Sequence, residues 1–260
     1  MTLVNPVRVG LILLSGLFVT CAARADESDA QPPQIVERVI DAYQTNVHGV
    51  FGMQRHFSTL VDLGVKKYSE LSDSAMLFKD GIFAQVRYYR VVNDGNEFSP
   101  ARLSDREKRT FDGWSSGKVF FKEPYDRRFS SDYSFAVVPS CADCTPGTVA
   151  VKFESARHDE QHGAGTMWID TANDRVLKLT YSPYVLPYKY LTSGTVTETS
   201  GSPLPNFWYV VRIDESYQGR MLLLHGTVTF TGLFDHFERF GSVAEGASAM
   251  REGTIGTAKT

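Results

Sequence analysis

Residues 163–183, GAGTMWIDTANDRVLKLTYSP, hold two alternating apolar runs separated by a polar cluster. GTMWID and RVLKLTYSP each place side chains on opposite faces with a period of two, and TANDR supplies turn-forming Asn and Asp. The stretch is predicted to be a β-hairpin, with Leu177, Leu179 and Tyr181 on the apolar face of its second arm. Just upstream, TVAVKFES (148–155) points Val149, Val151 and Phe153 one way and Ala150, Lys152 and Glu154 the other. Downstream, FWYVVRIDES (207–216) and RMLLLHGTVTFTG (220–232) flank YQG as a further hairpin, which puts Val211 and Ile213 on a strand. IFAQVRYYRVV (82–92) alternates with Ile82, Ala84, Val86 and Tyr88 on one face. With strand patterns near residues 51–60, 66–79, 118–122, 133–138 and 191–199, the chain carries about ten strands at short spacing. That rhythm predicts a mainly β (α+β) fold, an incomplete antiparallel barrel or strongly curved sheet, and not a doubly wound one.

Two helices are expected beside it. PQIVERVIDAYQTN (33–46) stacks Ile35, Val36, Val39, Ile40 and Tyr43 on one stripe, with Pro33 at its first turn. SPARLSDREKRTFDG (99–113) is a more polar, surface candidate, capped by Ser99 or by Ser104, the latter with Glu107 in capping-box spacing.

The first 25 residues read as a secretory signal peptide: Arg8, an apolar run from Val9 to Val19, and the small-residue site Ala23-Arg24-Ala25. The apolar run is short for a bilayer span. A periplasmic location is expected, with residues 26–32 a flexible mature start. Attachment as an outer-membrane lipoprotein through Cys21 is the minority alternative. Residues 33–243 are expected to form the folded domain and 244–260 a disordered tail. The formal net charge is −3 and the pI near 6.1. No basic, aromatic-interleaved patch is visible, which argues against nucleic acid as a partner. Beyond Cys21 only Cys141 and Cys144 remain, and in an oxidising compartment this neighbouring pair is predicted to form a disulfide.

Three motifs invite catalytic readings. ARHDEQHGAG (156–165) approaches the H-E-x-x-H zinc motif through His158 and His162. It lies between two strands, where the helical stacking of the imidazoles is lost, and Asp159 replaces the glutamate. It is read as a solvated hairpin loop, with no metal. GWSSG (113–117) matches G-x-S-x-G without the strand-to-helix elbow that the motif needs, and is read as a turn. C-x-x-C is bracketed by Pro139 and Pro146 instead of opening a helix, so it is read as structural. His225, alone on an apolar strand, is expected to be a satisfied core or interface histidine. No catalytic residue and no cofactor are assigned. A metal hydrolase using His158 and His162 is the third choice.

The stretches FWYVV and MLLLHG are apolar on both strand faces. Such strands are either core on both sides or line an apolar cavity, and the pattern leaves both open. The segment YSPYVLPYKYLTSG (181–194) holds Pro183 and Pro187, which break a ladder, yet is rich in tyrosine and aliphatics. Leu186 and Tyr188 are therefore candidate flap residues over a cavity mouth.

GAGTMWIDTANDRVLKLTYSP also resembles the hairpin G-x-x-W-I-D … V-x-(K/R)-(L/I) of the LolA/LolB-like superfamily of periplasmic lipoprotein carriers. GTVTFTGLFDHFERFGS (226–242) is similar to a terminal strand of lipoprotein-sorting-like proteins, with Phe234 to Phe240 where those carry Y-x-x-F-R-R-F. The resemblance spans residues 33–243. It implies an incomplete barrel of about eleven antiparallel strands, with helices over a cavity for acyl chains. It also implies a non-enzymatic carrier or sensor whose partner is an acyl chain or a lipoprotein's lipid group. The candidate lining is Val86, Tyr88, Leu177, Leu179, Tyr181, Leu186, Tyr188, Val211 and Ile213. The family's lid-locking arginine is not assigned among Arg87, Arg90 or others. The alternative is a cell-envelope protein-interaction module without bound lipid.

Overall fold

A computed structural model describes residues 32–116, 121–221 and 224–256. The signal-peptide reading of residues 1–25 lies outside them. The chain opens with α1 (Gln34–Asn46) and then forms β1 (Val50–Asp62), β2 (Lys67–Lys79), β3 (Ile82–Asn93) and the short β4 (Asn96–Glu97). α2 (Pro100–Ser115) follows. Then come β5 (Tyr133–Val137), β6 (Thr148–Ser155), β7 (Gly163–Asp170), β8 (Arg175–Pro183), β9 (Leu191–Leu204), β10 (Phe207–Met221), β11 (Leu224–Phe240) and α3 (Val243–Glu252).

All eleven strands join one antiparallel sheet in the order β4-β3-β2-β1-β11-β10-β9-β8-β7-β6-β5. The expected incomplete barrel is what forms: β4 and β5 are unjoined edges. Two meanders meet at the β1–β11 pairing, so the connection from β4 to β5 must travel from one edge of the sheet to the other. That crossing carries α2 and residues 121–132. It decides the site, because it lays side chains across the concave face.

α1 packs on this concave face because its apolar stripe, Val36, Val39, Ile40 and Tyr43, has the 3.6-residue period of a helix and is buried in the main core. Its last residue is fixed by backbone chemistry. A register shift between Phe207 and Tyr209 takes Trp208 out of the β9–β10 ladder. The buried Asn46 amide replaces the lost partner, donating to the Trp208 carbonyl (2.6 Å) and accepting from its N–H (2.8 Å).

α2 starts where Ser99 accepts from the Arg102 N–H (3.5 Å), so Ser99 and not Ser104 is the cap. The helix shields β3, whose Tyr88 N–H donates to Glu107 (2.9 Å). It runs through Trp114, so GWSSG is not a loop turn: Gly113, Trp114 and Ser115 are helical. Trp114 packs on Phe83 with ring centroids 5.0 Å apart. Of the strand expected at 118–122, residues 118–120 lie outside the described residues, and Phe121 and Lys122 are not in a strand.

The tail is a second correction. Residues 243–252 are helical, with Ser242 accepting from the Glu245 N–H (3.2 Å) and Gly253 in the left-handed region at φ 70°. Met250 and Ile255 are buried on the convex face against Val50, Ala75, Leu77 and Phe240. The folded unit therefore extends past residue 243. S-x-x-E followed by a short apolar stripe and a glycine is the signal that would have found α3.

Cys141 and Cys144 form the expected disulfide, in the loop between β5 and β6. The ring it closes is so small that little denatured-state entropy is removed. The double Ser variant is expected to lose about 2 kcal/mol or less in urea unfolding. A larger loss would mean that the bridge is needed to hold the β5–β6 hairpin.

Candidate cavity on the concave face

The concave face holds a partly open cavity of about 910 Å³. Its walls come from α1, β1, β2, β3, α2, β8, β9, β10 and β11, and the crossing segment supplies Phe121, Glu123, Tyr125, Asp126 and Arg128. Among the expected lining residues, Tyr181, Leu186 and Ile213 line it. The others do not. Val86, Tyr88 and Leu179 are buried in the core, Leu177 and Tyr188 are 39% and 50% exposed, and Val211 only packs on the core's edge.

Two of these misplacements, Leu177 and Val211, share one cause. A strand's alternation reverses wherever one extra residue is inserted, and each insertion here leaves the partner strand one residue short. Trp168 pairs with Lys178 but Ile169 with Val176, so Leu177 is the extra residue and Val176 turns in. Val210 pairs with Ser200 but Arg212 with Thr199, which makes Val211 the extra one. Leu77 pairs with Gln85 but Phe78 with Phe83, so Ala84 bulges, Phe83 turns toward Phe78, and Ile82 is left 57% exposed at the rim.

The cavity is not the purely apolar chamber expected. Glu198 pairs across β9 with Leu179 of β8 and Ile213 of β10, which places a carboxyl in an apolar row. Glu215, two residues on from Ile213, follows it inward. Glu123 reaches the same place from the crossing and lines the cavity together with Glu198. Burial, and then the Glu215 charge, push Glu198 up to about 7. Burial and the Glu198 charge raise Glu123 well above the ordinary carboxyl range. Burial also raises Glu215, opposed by the Tyr217 hydroxyl that donates to it (2.8 Å). Glu123 Oε2 and Glu198 Oε2 are both buried and have no hydrogen-bond partner among the described residues. Asp126, by contrast, is satisfied by Arg128, whose Nε donates to both carboxylate oxygens (3.0 Å).

The HDEQH loop positions this acid cluster. His162 is fully buried, so the solvated-loop expectation fails for it. Its Nδ1 meets Asp159 Oδ1 (2.6 Å) and its Nε2 meets Asp132 Oδ2 (3.1 Å), so both ring nitrogens are engaged by carboxylates and not left for a metal. His158 stacks on Tyr184 (4.0 Å) and takes no part in the His162 pairings. The loop so pinned offers the Gln161 carbonyl to the Lys122 N–H (2.9 Å), and Tyr133 donates to the Lys122 carbonyl (2.5 Å). Lys122 is thus held at both backbone groups, next to Glu123. His225 is exposed, not a core histidine.

Sequence reasoning missed Glu123, Glu198 and Glu215. The last two were legible, since each lies in phase with apolar neighbours on its strand (Val196 and Glu198; Ile213, Glu215 and Tyr217). Glu123 lies in FKEPYD (121–126), a non-repetitive stretch with no periodic signal.

No helix among the described residues is long and apolar enough to cross a membrane. No protein-family model matches the chain, and no curated protein matches it. Among solved structures, a domain assigned to outer membrane lipoprotein sorting from Vibrio parahaemolyticus aligns with 85% of this chain and 99% of its own, at 11% identity and a TM-score of 0.42. A LolA superfamily protein from Nitrosomonas europaea aligns with 83% of this chain and 96% of its own, at 8% identity and a TM-score of 0.37. The MucA/MucB complex of Pseudomonas aeruginosa aligns over 77% and 92%, at 10% identity and a TM-score of 0.20. All three TM-scores lie below 0.5, and the incomplete-barrel architecture rests on the strand order of this chain.

Proposed function

We propose that this protein is an exported, non-enzymatic carrier or sensor that holds a small amphiphile or lipid group in the concave-face cavity. One observation carries the reading: a chamber of about 910 Å³ lies where a sheet of this kind ordinarily packs solid core. Its aromatic and aliphatic walls would bury an acyl-sized apolar body, and each Å² removed from water is worth about 25 cal/mol. Tyr181, Leu186 and Ile213 are the expected contacts for that body. Leu186 belongs to the loop after β8 and lines the cavity beside Pro183, Val185 and Pro187, so this loop forms one wall.

The test is gentle purification, organic extraction and mass spectrometry, with uptake of the neutral probe N-phenyl-1-naphthylamine measured in parallel. A co-purifying amphiphile or saturable probe uptake is expected. A folded protein with neither is an empty-core β protein, and the reading fails. The alternative, an envelope protein-interaction module, draws on Tyr188 and Tyr190, stacked 5.4 Å apart and exposed on the outside of the same loop. Crosslinked capture of a protein by a cavity-filled variant would favour it.

A further inference from the structure

The chamber's polar atoms say which head group it suits, an inference that rests on the cavity reading above. Glu198 is 5% exposed, yet among the described residues its Oε2 has no partner, and Glu123 Oε2 is also buried and unpartnered. Both residues line the cavity. Buried acceptors are costly unless a donor meets them. Other charged groups of the lining already have hydrogen-bond partners. Glu215 accepts from Tyr217, Asp126 holds Arg128, and Arg55 donates to Ser74 Oγ (3.2 Å) and the Tyr88 hydroxyl (2.9 Å). Tyr125, Tyr181 and Tyr209 line the same chamber.

We propose that the cavity selects an amphiphile with a protonated amine head, seated between Glu123 and Glu198 with its apolar stem along Tyr181, Ile213 and Leu186. An ammonium group brings three donors and a positive charge, and so satisfies both open oxygens and the net negative charge of the pair. A carboxylate head would add a third like charge to the same pocket.

The experiment uses the exported, disulfide-bonded chain and three probes of equal stem length: dodecylamine, dodecan-1-ol and dodecanoate. Each competes against N-phenyl-1-naphthylamine below its micellar concentration, at about pH 8, where the amine stays protonated and the acids are more ionised. Dodecylamine is expected to bind at least about tenfold more tightly than either of the others, the effect of charge-assisted hydrogen bonds in a buried site. Glu198→Gln should remove most of that advantage. Equal binding of the three, or preference for dodecanoate, overturns the amine assignment while the cavity reading stands. Uptake of neither the probes nor the dye overturns the cavity reading itself. Because the wild-type comparison needs no variant, a folding defect in Glu198→Gln leaves the proposal testable.

Discussion

Asn46→Ala is expected to destabilise the fold by about 4 kcal/mol, from two buried backbone groups orphaned at about 1–3 kcal/mol each, with urea unfolding as the measurement. Asn46 partners both the Trp208 N–H and its carbonyl where the β9–β10 ladder skips a step. Alanine is too short to reach either group, and the site, between the end of α1 and a core strand, has little access to water. The loss should be concentrated locally: amide exchange at Trp208 should accelerate more than exchange at Met167 in β7. Tyr43 would lose anchorage too, since it packs on Trp208 and Tyr125 with ring centroids 5.9 and 5.0 Å away. A loss under about 1 kcal/mol would mean that water or a shifted ladder replaces the amide.

Glu198→Gln is expected to raise stability near pH 8 and to flatten the pH profile. The folded-state pKa of Glu198 lies at about 7, above the ordinary 4.5, because burial and the Glu215 charge penalise ionisation. Between those two values the folded protein holds a proton that the unfolded chain has released. Stability therefore falls as pH rises across that window and levels off above it. Each pH unit within the window is worth at most about 1.4 kcal/mol, so the full span is on the order of 3 kcal/mol. Gln cannot ionise and keeps most of the shape, so the variant should show little slope over the same range. Glu123 and Glu215 shift in the same direction and will leave some residual slope. Asp159, lowered by its His162 and Gln161 N–H bonds against the opposing effect of burial, acts with the opposite sign and only toward acid. Thermal unfolding from pH 5 to pH 8, wild type against variant, measures it; parallel profiles would show that Glu198 is ionised in the folded state throughout.

The hairpin at 163–183, the stripe of α1, the strand-rich pattern and the cysteine pairing could all be read from residue order because each rests on local periodicity or a short spacing. Face assignment could not. Bulges at Ala84, Leu177 and Val211 reverse the alternation, and nothing in the composition of those strands marks them, since the inserted residue is as apolar as its neighbours. The register shift is set by the partner strand, which is information at long range. His162 shows the converse error. A polar loop sequence reads as solvated, whereas Asp159 and Asp132, 3 and 30 residues away, hold a ring that is buried. Glu198 and Glu215 stood in plain view, acids in the apolar phase of their strands. Glu123 depended on the route of the crossing between sheet edges, which only the strand order reveals.

The most direct test of the central claim, that the concave face is a ligand chamber and not packed core, is a titration of N-phenyl-1-naphthylamine into wild type and Ile213→Trp. Ile213 lines the cavity between Glu198 and Gly232 on the neighbouring strands, so an indole there occupies the space that a ligand would. Saturable uptake near one dye per wild-type chain, lost in a variant that keeps its circular dichroism and melting point, is the predicted result. Uptake that is absent in folded wild type, or unaltered by the tryptophan, would contradict it.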